Sequence, residues 1–196
     1  MKILDKEKEK YENIHSSYEY GLGLRQVNDL KNLNYEFSKS FLDIIKSSDT
    51  CLDIACGGGT IMDYVSNLDC TPTGIDISEN AIKKVNPKFK TYMGSCHSLP
   101  FPNQHFDTVY FLDGLEHIPK EIESESISES FRVAKNYVCH GIAMNSSIRN
   151  KIELHINIKT AIEWKNLFDF IAPKFNFKES LYYTRNTTVY LIYKNG

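Results

Sequence analysis

An α/β fold with a doubly wound, mostly parallel seven-strand sheet is predicted by three observations. Short apolar runs alternate with helical segments from Thr50 onward, a glycine-rich turn follows the first run, and two further runs close the chain around a loop suited to a hairpin. The closing hairpin adds one antiparallel C-terminal strand, and residues ahead of Thr50 form a helical extension. At 196 residues the chain fits one structural domain. Within it the extension covers 1–48 and the ligand-binding part covers 49–196.

The elements follow in order. Lys2 to Tyr20 is polar and carries Tyr11, His15, Tyr18 and Tyr20. Leu33, Phe37, Phe41, Leu42, Ile44 and Ile45 recur at helical spacing and predict a helix over 33–45, packed on the sheet edge. Strands are predicted at Thr50–Ala55, Pro72–Ile77, Phe89–Gly94, Phe106–Leu112, Tyr137–Met144, Phe175–Tyr182 and Thr188–Tyr193. Between them lie helices at Thr60–Leu68, Glu79–Val85, Lys120–Val133 and Thr160–Ile171. Ser78 is a cap for the second of these, and Pro87 stops it. The last presents Trp164, Leu167, Phe168 and Ile171 on one face, which reads as core packing.

Composition narrows the function classes. A net charge of -2 and the absence of a dense Lys/Arg cluster argue against a broad electrostatic grip on nucleic acid or an anionic membrane. Cys51, Cys56, Cys70, Cys96 and Cys139 are odd in number and lack zinc-type spacing, so neither a disulfide framework nor a zinc knuckle is expected. The first ten residues are charged and no long apolar run follows, so the reading is a cytoplasmic protein with reduced thiols and no membrane partner.

In an open parallel sheet, ligands bind beyond the carboxyl ends of the strands where strand order reverses. The first strand-to-helix turn, Asp53-Ile54-Ala55-Cys56-Gly57-Gly58-Gly59, sits there. Its small residues let the backbone approach a ligand, and the helix behind offers N–H groups. Asp76, ending the next strand, can accept both hydroxyls of an adenosine ribose. The turn does not fit a nicotinamide dinucleotide, because Met62 stands where a third small residue is required, and no Lys follows to make a P-loop.

The motifs Asp53-x-Ala55-Cys56-Gly57-x-Gly59, Gly74-Ile75-Asp76-Ile77-Ser78, Leu99-Pro100-Phe101, Phe106-Asp107-Thr108-Val109 and Leu115-Glu116-His117-Ile118 occur in that order. This resembles the class I S-adenosylmethionine-dependent methyltransferases, particularly the small-molecule type with a Leu-Pro-Phe loop and a Leu-Glu-His motif. The resemblance covers Thr50 to Met144 well and implies the Rossmann-like methyltransferase fold. It implies that Asp53 and the backbone of Ala55, Cys56, Gly57 and Gly59 hold the methionine part of the cofactor. Asp76 would hold the ribose and Ile77 would cover the adenine. Ser95 and Cys96 stand where many relatives place an Asp near the adenine amino group. Asp113 and Gly114 would lie beside the sulfonium, and Arg25, in a lid-like extension, would pair with the methionine carboxylate. Ala55 replaces the commonest Gly.

The expected activity is methyl transfer to a small-molecule acceptor, with a hydroxyl oxygen favoured. The alternatives are a noncatalytic binder of the cofactor, or a methyltransferase acting on protein or nucleic acid. His117 and His155 are the candidate catalytic residues, with a structural histidine as the other reading of His117. Tyr18, Tyr20 and Asn157 are candidate acceptor contacts. Asp113, Glu116, His117 and His155 also form a set able to bind a divalent metal. Some relatives carry an acidic pair of this spacing before a histidine and bind a metal there. Here Asp113, with its shorter reach, replaces their Glu, and the expectation is a site without metal.

Overall fold

The computed structural model describes residues 2–16, 36–149, 151–183 and 188–196. The candidate residues Tyr18, Tyr20 and Arg25 lie outside the described residues, as does most of the closing loop. The helices are α1 (Lys2–Ser16), α2 (Glu36–Lys46), α3 (Thr60–Val65), α4 (Glu79–Ile82), α5 (Glu123–Val133) and α6 (Ala161–Ile171). The strands are β1 (Thr50–Ile54), β2 (Thr71–Asp76), β3 (Lys90–Met93), β4 (Phe106–Leu112), β5 (Ala134–Ala143), β6 (Ile148–Arg149), β7 (Ile152–Glu153), β8 (Phe175–Tyr183) and β9 (Thr188–Asn195).

Seven strands form one sheet in the order β3-β2-β1-β4-β5-β9-β8. The first five run parallel, with β1 paired to both β2 and β4. β9 is antiparallel to β5 and to β8, and so lies as one reversed strand between two others. Strand order reverses on either side of β1, which puts the end of β1 at the switch point where a ligand crevice opens.

Alternation along the strands divides the core into two layers. Leu52, Ile54, Val109, Phe111, Val138 and Ile142 face α5 and α6, where Ile127, Phe131, Trp164 and Phe168 close over them. Cys51, Tyr110, Cys139 and Ile192 face the other way, against Phe41 and Ile45 of α2 and Ile61 and Val65 of α3. The predicted core face of the last helix is therefore real, and Trp164 is fully buried in it. Ser78 caps α4 by accepting from Ala81 N–H at 3.1 Å, and Thr160 with Glu163 closes a reciprocal capping box on α6.

The structure corrects several boundaries. The helix expected over 60–68 tightens into a 3-10 turn after Val65, and that expected over 79–85 ends at Ile82. The first turn of the helix expected from Lys120 is 3-10, and β5 begins directly after Val133. Within the expected helical extension α1 spans Lys2–Ser16, and the short β6–β7 hairpin was not anticipated. Among the described residues no helix is long and apolar enough to cross a membrane, and all five cysteines are free thiols.

Candidate functional site

The chain leaves β1 through a turn that bends three times: Ala55, Gly57 and Gly59 take φ of 57°, 51° and 79°. Asp76, at the end of β2, holds this turn in place. One of its carboxylate oxygens accepts from Gly57 N–H at 2.9 Å and the other from Ser78 N–H at 2.9 Å. Each carboxylate oxygen has two lone pairs, so capacity remains on both for hydroxyl donors. Burial raises the Asp76 carboxyl, while the N–H groups of Ser78 and Gly57 pull it back.

Met62 stands where a dinucleotide fold wants a third glycine, and Gly74 on β2 explains how it fits. A Cβ on Gly74 would lie 2.7 Å from Met62 Sδ and 2.8 Å from Cys56 Sγ. The close helix-to-strand approach is thus provided from the strand side.

Asp53 is 4% exposed, and among the described residues its Oδ2 meets no hydrogen-bond partner. Burial pushes its carboxyl well up; the neighbouring Tyr110 hydroxyl opposes this, and the charge of Asp76 adds to it. Tyr110 Oη is also buried and, among the described residues, lies beside Asp53 outside strict hydrogen-bonding geometry. A buried orphan acceptor of this kind is costly unless a ligand donates to it. The ammonium of a methionine moiety is the kind of donor it fits.

These residues line a cavity of about 1050 Å³ with its open mouth included. Its walls carry Asp53, Ala55, Cys56, Gly57, Asp76, Ile77, Ser95, Cys96, Asp113, Gly114 and His117, so most of the expected cofactor residues come together in one crevice. The crevice is open rather than plugged by the protein's own side chains. Gly59 does not line it and instead starts α3. Ser95 Oγ pairs with His97 Nδ1 at 2.6 Å, and Cys96 Sγ lies 3.2 Å from Ser126 Oγ.

At the other end of the cavity β4 gives way to Asp113, with φ of 61°, and then to a 3-10 turn over Leu115–His117. Gly114 is required there because a Cβ would fall 2.0 Å from the Phe111 ring. His117 Nδ1 lies 3.0 Å from Leu154 O, and burial holds its pKa down at about 4. Its ring meets that of His155 edge to face, with centroids 4.7 Å apart. His155 is not on the cavity wall; it backs His117 from the segment after β7. Asn157 does not reach the cavity either. Its amide donates to Glu123 Oε2 at 2.8 Å and its backbone N–H to Glu116 O at 3.0 Å, so it ties the loop to α5 instead of meeting an acceptor.

Sequence reasoning expected a lid-like helical extension carrying Tyr11 and His15, but not the stripe that α1 brings to the cavity. Leu4, Glu7, Tyr11 and His15 line the cavity as one helical stripe, and Tyr11 meets the His117 ring edge to face at 5.9 Å. Their spacing of three, four and four residues was the available signal. Glu12, on an adjacent face, fastens the helix down. Its carboxylate accepts from Glu79 N–H at 2.6 Å, Asn80 N–H at 3.0 Å and Ser78 Oγ at 3.2 Å. Lys84 Nζ donates to the carbonyl of His15 at the end of the helix.

Comparison with known proteins agrees with this geometry. Residues 51–137 match a family model described as a methyltransferase domain. An uncharacterized methyltransferase of Synechocystis is 32% identical over 129 residues, spanning 61% of this chain and 60% of its own. A sterol 4-C-methyltransferase of Caenorhabditis elegans is 32% identical over 78 residues, covering 35% of this chain and 23% of its own. The chain thus spans less than two thirds of the length of these curated relatives. A solved protein from Pyrococcus horikoshii superimposes with a TM-score of 0.65 at 16% identity, over 84% of this chain and 94% of that one, and shows the same fold. The stretch that matches the methyltransferase-domain model, residues 51–137, contains the glycine turn, Asp76 and the Asp113 segment that shape the cavity.

Proposed function

We propose that the chain transfers a methyl group from S-adenosylmethionine to a hydroxyl oxygen of a small-molecule acceptor. One observation carries the reading: a single cavity is lined at one end by the bent turn with Asp53 and Asp76, and at the other by Asp113, Gly114 and His117. S-adenosylmethionine supplies, when bound, a methyl group on positively charged sulfur. Asp53 Oδ2 accepts from the ammonium, and the spare lone pairs of Asp76 accept from the ribose hydroxyls. Ile77, Ser95 and Cys96 surround the base.

On the acceptor side the oxygen forms its bond to the methyl carbon as the carbon–sulfur bond breaks, and that electron pair returns to sulfur. The hydroxyl proton leaves toward the polar cluster around His117. In-line placement of the oxygen is the protein's main contribution, and in well-oriented systems is worth roughly 7–11 kcal/mol. Helix α1 lines the cavity through Leu4, Glu7, Tyr11 and His15, and acts there as a wall that keeps water from the reactive sulfur. The net charge of -2 gives no general electrostatic pull toward a nucleic-acid acceptor.

The test is calorimetric titration of S-adenosylmethionine into the chain and into Asp76→Ala. Binding to the parent, weakened about ten-fold or more in the variant, is the expected result. Equal affinity in both, or no binding to a folded parent, refutes the reading. Product S-adenosylhomocysteine formed only with hydroxyl-bearing acceptors then fixes the atom.

A further inference from the structure

We propose that His97 sets the base preference of the cavity: its Nδ1 accepts from the Ser95 hydroxyl, and Ser95 Oγ is thereby left to accept from the exocyclic amino group of a 6-aminopurine. The proposal rests on the methyl-transfer reading, which puts a nucleoside in the crevice. Three adjacent parallel strands order that nucleoside. Asp53 lies on β1, Asp76 ends β2, and Ser95 follows β3, which pairs with β2 up to Asp76 and Met93. Gly94 N–H donates to the Asp76 carbonyl at 2.9 Å, so the chain enters Ser95 from beside the end of β2. Neighbouring strands lie about 4.8 Å apart. A ribose held by Asp76 therefore has its methionine part on the Asp53 side and its base on the Ser95 side, and all three residues line the cavity.

The loop that carries Ser95 is fixed from α5. Glu129 Oε2 accepts from Leu99 N–H at 2.7 Å. Arg132 pairs with Glu129 and donates to the carbonyls of Leu99 at 3.1 Å and Phe101 at 2.7 Å. Ser98 N–H closes a tight turn on the Ser95 carbonyl at 3.2 Å. The neighbouring thiol is held from the same helix. Ser126 Oγ donates to Ile122 O at 2.6 Å, so toward Cys96 Sγ, 3.2 Å away, it can only accept, and the thiol hydrogen goes there.

The Ser95 hydrogen then has two acceptors beside it, His97 Nδ1 at 2.6 Å and the Cys96 sulfur. Sulfur is the weaker acceptor, so the hydrogen goes to Nδ1, and the neutral imidazole carries its own hydrogen on Nε2. A serine hydroxyl alone both donates and accepts, and suits a ring nitrogen of the base as well as an amino group. With its hydrogen committed to His97 it presents lone pairs only, as a carboxylate does. An amino group has hydrogens to give and is the edge this oxygen selects. A purine with only hydrogen at that position leaves the oxygen unpaired. His97 is not on the cavity wall. It is a positioning residue that acts through Ser95.

The experiment is calorimetric titration of S-adenosylhomocysteine and of its 6-deamino analogue, which keeps the ring nitrogens and lacks the amino group. Alkaline buffer is used, where a free imidazole is neutral. The readout is the ratio of the two affinities, because a general loosening of the turn weakens both ligands alike. The parent should bind the amino ligand about five-fold or more tighter. In Ser95→Ala and in His97→Phe, each checked for folding by circular dichroism, the ratio should fall below about two-fold. Should His97→Phe fail to fold, His97→Ala takes its place. Ser95→Asp supplies an acceptor that needs no orienting partner, so His97→Phe added to it should leave the ratio at the parental level. Loss of the ratio in that double variant would mean that His97 acts through the fold of the turn, and overturns the proposal. A parental ratio in folded His97→Phe, or equal binding of both ligands by the parent, also overturns it and leaves the methyl-transfer reading standing. No binding of S-adenosylhomocysteine to the folded parent removes both.

Discussion

Ala55 adopts a left-handed φ of 57° at the first bend of the ligand turn, where relatives most often have glycine. A left-handed conformation costs an L-residue roughly 1–2 kcal/mol, and glycine gives back part of that gain as unfolded-state entropy. Ala55→Gly should therefore stabilise the chain by about 0.5–1 kcal/mol in urea denaturation. Gly114 is the opposite case. Its missing Cβ makes room for the Phe111 ring, so Gly114→Ala should destabilise by about 1–3 kcal/mol in the same assay. The identities of Asp53, Asp76 and Gly57 were legible in sequence because the motif places them. That Asp53 ends beside Tyr110 was not, since that neighbour comes from a strand far along the chain. Asn157 shows the limit from the other side. Its polar type and loop position pointed to an acceptor, but Glu123 uses its amide.

At the level of elements, strands and helices that bury an apolar face were readable from their period, including α2, α5 and α6. A helical extension was expected, but the bounds and inward face of α1 were not readable, because its stripe of Leu4, Glu7, Tyr11 and His15 is mostly polar and faces a cavity instead of core. Its attachment depends on Glu12. Burial raises that carboxyl slightly, but the N–H groups of Asn80 and Glu79 and the Ser78 hydroxyl outweigh it and hold it below the usual range. A depressed carboxylate stabilises above its unfolded pKa and loses that contribution as pH falls through the folded value. Glu12→Ala should therefore loosen α1 at neutral pH by about 1 kcal/mol, roughly a five-fold rise in its opening. Amide hydrogen exchange over 2–16 measures this. Unchanged exchange there would mean that the cavity-facing side chains, not the Glu12 clamp, hold the helix. The β6–β7 hairpin escaped sequence reading for another reason: two-residue strands carry no period.

The whole molecule is held by the two core layers on the sheet, and its acid sensitivity follows from a group inside one of them. His140 lies on β5, fully buried among Phe111, Phe131 and Phe168. Ser130 Oγ, 3.2 Å from His140 Nε2, already donates to Ile127 O at 2.7 Å, so Nε2 carries the imidazole hydrogen, and Nδ1 meets no partner among the described residues. Burial alone pushes the pKa down to about 3. An unfolded histidine takes up its proton near pH 6.5, whereas the folded one resists until far lower pH, so acidification favours the unfolded chain. The contribution is intact at pH 7 and lost progressively below about 6.5, amounting to about 2 kcal/mol between pH 7 and pH 5. His140→Phe places a ring of similar size among the same aromatic neighbours and removes the titration. Urea denaturation at pH 7, 6 and 5 should show the parent losing about 2 kcal/mol more than the variant across that span. Parallel losses in the two proteins would mean that the acid sensitivity arises elsewhere, with His15 in the last turn of α1, held by burial at about 4, as the next group to replace.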